Sequence, residues 1–87
     1  MIMTTMERYA KAVEGAGLTV EGTENILGRE MLKASIKVGD RALSIICGSN
    51  GTARIDKPNG THKWVYEKSY AQIGALLRQT LSFYKFR

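Results

Sequence analysis

The segment Val38-Gly39-Asp40-Arg41 is the strongest single constraint on this chain. Glycine in the first place of a two-residue loop, between two runs that alternate in hydropathy, is what a type II′ hairpin requires. Folding about it pairs Ile36 with Leu43, Ala34 with Ile45 and Leu32 with Cys47 on one face. The other face pairs Lys37 with Ala42, Ser35 with Ser44 and Lys33 with Ile46. A slip of one residue would send all of these side chains to the wrong side, so a half-buried sheet singles out this register.

Helix signals flank the hairpin. Thr4-Thr5-Met6-Glu7 has the hydroxyl-to-carboxylate spacing of a capping box and predicts a helix from Thr5 to Ala16. Met6, Tyr9, Ala10, Ala12, Val13 and Ala16 share one side of it, and Gly15-Ala16-Gly17-Leu18 supplies the stop. From Thr19 to Glu30 the pattern weakens. Gly22-Thr23-Glu24-Asn25 reads as a turn, another turn follows at Gly28-Arg29, and a short edge strand of unassigned register is expected between.

Downstream of the hairpin, Gly48-Ser49-Asn50-Gly51 forms a loop. Strands over Thr52–Asp56 and Thr61–Tyr66 are then joined by the turn Lys57-Pro58-Asn59-Gly60. Ser69-Tyr70-Ala71-Gln72 is a second capping box. It opens a helix whose stripe is Tyr70, Ile73, Leu76, Leu77, Leu81, Phe83 and Tyr84, with Phe86 expected to keep the end docked. The expected architecture is one α+β domain over residues 1–87: an N-terminal helix, a three- or four-stranded antiparallel sheet and a C-terminal helix, in the order α-β-β-β-(β)-α.

Composition removes several function classes. No run of 18 apolar residues exists to span a membrane, and the opening residues lack the charged leader of a secretory signal. One cysteine, Cys47, has no partner for an internal disulfide; a buried structural thiol in a reducing, cytoplasmic setting is expected. Acid–base or nucleophilic chemistry would need converging titratable groups. His62 borders the second turn while Cys47 lies on the inward strand face, so the two do not form a nucleophile–base pair. Two nitrogen or sulfur ligands fall short of a transition-metal site, and no glycine-rich loop carries a phosphate-binding lysine. The reading is a non-enzyme without cofactor or metal.

Charge is informative through its distribution. The formal net charge is +5. Residues 1–57 hold eight bases and seven acids, whereas residues 58–87 hold five bases and one acid, Glu67. Such an excess suits an anionic partner, whether nucleic acid or an acidic protein surface; it also suits plain solubility and cations near a helix C-terminus. Two surfaces are candidates for binding nucleic acid. One is the outer hairpin face with Lys33, Lys37, Ser35 and Ser44, and the other is the second hairpin with Arg54, Lys57, His62, Lys63 and Trp64. For Trp64, packing with Tyr66 beneath a helix is favoured over a base-stacking platform.

Three resemblances bear on function. Gly60-Thr61-His62 is similar to the Gly-Ser/Thr-His element of HicA-type ribonuclease toxins, which are small, basic and of α-β-β-β-α order. That resemblance implies a catalytic His62, but the family's histidine follows the first helix and its adjoining strand, whereas His62 comes after an intervening hairpin. The favoured reading of His62 is a solvated turn residue. The element order also resembles the double-stranded-RNA-binding fold, which implies a lysine-rich start to the second helix; Glu67-Lys68-Ser69-Tyr70-Ala71 offers Lys68 alone. In type, the chain resembles the small inhibitors encoded by phages and mobile elements, anti-CRISPR proteins among them. The leading expectation is a non-catalytic module for nucleic acid or nucleoprotein, and the alternative is a stoichiometric protein inhibitor. The free edges of the sheet admit a homodimer under either.

Overall fold

The computed structural model describes residues 4–85. Helix α1 (Thr5–Gly15) leads into five strands, β1 (Thr19–Ile26), β2 (Arg29–Val38), β3 (Arg41–Gly48), β4 (Ala53–Asp56) and β5 (His62–Val65), and helix α2 (Tyr70–Lys85) closes the chain. The strands form one antiparallel meander in the order β1-β2-β3-β4-β5. The expected helix–sheet–helix order holds, with five strands where three or four were expected.

Every pairing expected across the central hairpin is present, from Val38 opposite Arg41 to Leu32 opposite Cys47. Gly39 has φ +67, which a side chain would resist, and so it occupies the first turn position. Both capping boxes form. Thr4 Oγ1 accepts from the Glu7 backbone N–H at 3.2 Å. At α2 the exchange is reciprocal: the Gln72 N–H donates to Ser69 Oγ and the Ser69 N–H donates to Gln72 Oε1.

One face of the sheet is buried and the other is open. Leu32, Ala34, Leu43, Ile45, Cys47, Ala53, Ile55 and Val65 pack with Tyr9, Val13, Ala16 and Leu18 from the α1 region and with Ile73 and Leu77 of α2. The two helices lie against each other where a Cβ on Gly74 would stand 3.4 Å from the Ala12 carbonyl oxygen. Two members expected in the α2 stripe, Tyr70 and Phe83, are largely exposed, because the stripe is wider than the core it covers. Docking of Phe86 lies outside the described residues.

The Thr19–Glu30 region differs most from expectation. Gly22 to Asn25 is strand rather than turn. The irregularity is a bulge between Val20 and Gly22, with Gly22 at φ +135. The true turn is Leu27-Gly28, with φ +52 and +79, the left-handed pair that suits a tight hairpin. Residues 21–30 are all exposed, so this end of the β1–β2 ribbon projects beyond the helices.

Candidate nucleic-acid interface

Register decides which side of the sheet each candidate occupies. In β4, Ala53 and Ile55 are buried, and their partners in β5 are Val65 and Lys63. Arg54, Asp56, His62 and Trp64 therefore share the open face. Two cross-strand rows result there: Lys33–Ile46–Arg54–Trp64 and Ser35–Ser44–Asp56–His62. Lys37 belongs to the same face, opposite Ala42. The two candidate surfaces are thus one continuous face, with Lys33, Lys37, Arg54, His62 and Trp64 on it. Lys57 and Lys63 are not. Lys63 sits on the helix side of the β5 edge, and Lys57 joins it in a groove against α2.

Trp64 corrects the sequence expectation. It does not pack under a helix; it is 48% exposed on the open face. Tyr66, two residues on, is 64% exposed, and the two rings lie 6.5 Å apart between centroids with planes inclined by 15°. The cause is loop length. A four-residue turn would place Asp56 opposite Thr61 and Ala53 opposite Trp64. Instead Thr61 belongs to the loop, where its N–H donates to Asn59 Oδ1, and Asp56 faces His62. One extra loop residue exchanges the two faces of β5.

The charges on the open face are largely cancelled. Lys33 pairs with Glu24 at 3.4 Å and Arg54 with Asp56 at 3.2 Å, while Ser35 Oγ donates to Glu21. Three cations (Lys33, Lys37, Arg54) therefore meet three carboxylates (Glu21, Glu24, Asp56) there. Such exposed pairs add little stability, but they leave little net field for a phosphate.

The groove between the β5 edge and α2 has a different character. One part, about 570 Å³, is lined by Lys63, Trp64, Tyr66 and Lys68 and floored by Leu76, with Gln72 and Gln79 on the helix. It continues past Lys63 to Lys57 and Ile55. No carboxylate lines either part among the described residues. Sequence reasoning treated Tyr66 as core and passed over Lys68 as isolated. Lys68 comes into play because it is held beside Tyr66 just ahead of the Ser69 cap. A larger depression of about 810 Å³ lies at the start of α1. It balances Arg29 with Glu30 and contains no aromatic ring, so it offers less to an anionic, ring-bearing partner.

Cys47 and His62 stand on opposite faces of the sheet. The Cys47 thiol is fully buried and donates to the Gly48 carbonyl at 3.3 Å; burial pushes its pKa up to about 11, away from the reactive thiolate. Burial also raises the Tyr9 phenol, with the Cys47 charge a smaller contribution. No three His, Cys, Asp or Glu side chains gather as a metal site among the described residues, and none of their helices is long and apolar enough to cross a membrane.

Comparison with known proteins found no matching family model, no matching curated protein and no matching solved structure.

Proposed function

We propose that this chain is a non-catalytic binding module for nucleic acid or nucleoprotein, which it grips at the groove between β5 and α2. The observation carrying this reading is the grouping of Lys57, Lys63 and Lys68, without a lining carboxylate, beside the exposed rings of Trp64 and Tyr66. Three unneutralised cations along one groove repel each other, and phosphates on a bound strand relieve that repulsion. Exposed rings add a surface on which bases stack. The open sheet face serves as a flank, with Lys37 available and Lys33 and Arg54 already engaged. A reducing, cytoplasmic location goes with this reading.

The test is fluorescence anisotropy with short labelled DNA and RNA at two salt concentrations. Three lysines neutralising three phosphates give a log–log salt slope of about −2 on single strands. A slope near zero, or no binding at low salt, removes the reading.

A second reading is a stoichiometric inhibitor that binds an acidic protein surface. The observation favouring it is that β5 is a sheet edge. Lys63 and Val65 face Ile55 and Ala53 in the hydrogen-bonded positions implied by the Lys57-to-Thr61 bond, which leaves the main chain of His62 and Trp64 directed outward. An acidic partner strand would add to that edge. Capture of a partner from nuclease-treated lysate favours this reading over the first. A homodimer belongs to it as the case in which the added strand comes from a second copy.

A further inference from the structure

We infer that Trp64 and Tyr66 form a clamp for one unstacked nucleobase, so that the groove selects single-stranded over double-stranded nucleic acid. This rests on the nucleic-acid reading above and specifies its ligand.

The separation of the two rings follows from the strand that carries them. Residues i and i+2 on one side of a strand are about 6.6–6.8 Å apart, and their side chains stand roughly parallel. The observed centroid separation is 6.5 Å with planes 15° from parallel. Two carbon faces in contact lie about 3.5 Å apart, so a planar group between two rings needs about 7 Å. A small spreading of the rings admits one base in contact with both. Tyr66 lies beyond the end of β5, where the chain is freer to give than inside the ladder.

Charge places the rest of the ligand. Lys63 precedes the first ring and Lys68 follows the second by two residues, and both line the same groove. A strand whose base enters the clamp would set its phosphates beside them. A duplex base is already stacked on both faces, and extruding it costs a few kcal/mol, which this clamp has to overcome for every duplex site. An already unstacked strand avoids that cost.

Trp64 is the sole tryptophan, so its fluorescence reports occupancy of the clamp directly. The intact chain is titrated with single-stranded octadeoxyadenylate, with an abasic octamer of equal charge, with a hairpin duplex and with 5′-AMP. Expected are quenching of Trp64 and at least about tenfold tighter binding of the octadeoxyadenylate than of the abasic octamer. Tyr66→Ala should bring the two octamers to equal affinity, and Tyr66→Phe should preserve the difference. Equal affinity for both octamers in the native chain, without quenching, overturns the clamp while leaving the nucleic-acid reading standing. Binding of the duplex as tight as of the single strand, or full quenching by 5′-AMP at the octamer's concentration, overturns the single-strand preference. Absence of binding by any of the four overturns both inferences together.

Discussion

The phenolic hydroxyl of Tyr9 in α1 donates to the backbone carbonyl of Lys68, 59 positions later, at 2.5 Å. The same peptide is held from the other side, where the Lys68 N–H donates to the Gly51 carbonyl at 3.2 Å. Lys68 closes the segment between β5 and α2, and Glu67 before it has φ +51. A non-glycine residue in that region costs on the order of 1 kcal/mol, so the segment needs outside contacts to hold it. Tyr9 and Gly51 supply them, and in doing so they hold one wall of the candidate groove.

Tyr9→Phe should therefore cost about 1–2 kcal/mol, the usual consequence of leaving a partly buried acceptor short of one hydrogen bond. Urea denaturation measures it. Loss of Tyr9 should also loosen Lys68, so weaker oligonucleotide binding by a variant that remains fully folded is the accompanying expectation.

Two glycines in the left-handed region separate backbone strain from steric exclusion. At Gly60, φ is +89 and a Cβ would meet nothing within 4 Å. At Gly51, φ is +82 and a Cβ would stand 2.0 Å from the Lys68 carbonyl oxygen. Gly60→Ala is expected to cost about 1–2 kcal/mol, from conformation alone. Gly51→Ala should exceed about 3 kcal/mol, since two backbone segments would have to part. Equal losses in denaturant titrations would mean that the Gly51–Lys68 approach is readily relaxed.

The contrast between β2–β3 and the outer strands shows what the sequence makes legible. Leu32 to Ile36 and Leu43 to Cys47 alternate against a buried face, and Gly39 pins the turn, so their register follows from side chains alone. In β1 the exposed run from residue 21 to residue 30 buries nothing, and no alternation exists to reveal it. Its Gly22 looks like a turn because a bulge uses glycine for the same positive φ. At β5 the periodicity was readable but its phase was not. Whether Thr61 belongs to the loop or the strand depends on the Asn59 side chain, which satisfies the Thr61 N–H. That single bond decides whether Trp64 is core or surface, and with it the whole character of the candidate site. Lys63 changes sides for the same reason.

Alkaline pH should destabilise the fold through Cys47. Burial raises its pKa from an ordinary 9.0 to about 11. The folded state thus holds the proton more tightly than the unfolded chain does. Below pH 9 both states are protonated and the full stability is present; as pH rises through about 9 to 11 the unfolded state loses its proton first and stability falls. The loss reaches about 2–3 kcal/mol near pH 11. Cys47→Ala should be less stable at neutral pH because of the cavity, yet show a shallower decline over that window. A parallel decline in both proteins would assign the effect to other groups, Tyr9 foremost, whose raised pKa has the same sign.

Charge reversal distinguishes the groove from the open face as the binding surface. Lys33 is already neutralised by Glu24, and Lys37 stands on a face where carboxylates equal cations. Lys63 is exposed and shares its groove with Lys57 and Lys68, with no carboxylate among the described lining residues. Lys63→Glu should weaken single-strand binding by about tenfold or more and reduce the magnitude of the log–log salt slope by about 1. Lys37→Glu should change affinity by less than about threefold. Both positions are exposed, so each substitution should alter folding stability by no more than about 0.5 kcal/mol, and binding is then read without a folding correction. The opposite ranking, with Lys37 dominant and Lys63 silent, would move the interface to the open face and leave the groove as a solvated edge of the sheet.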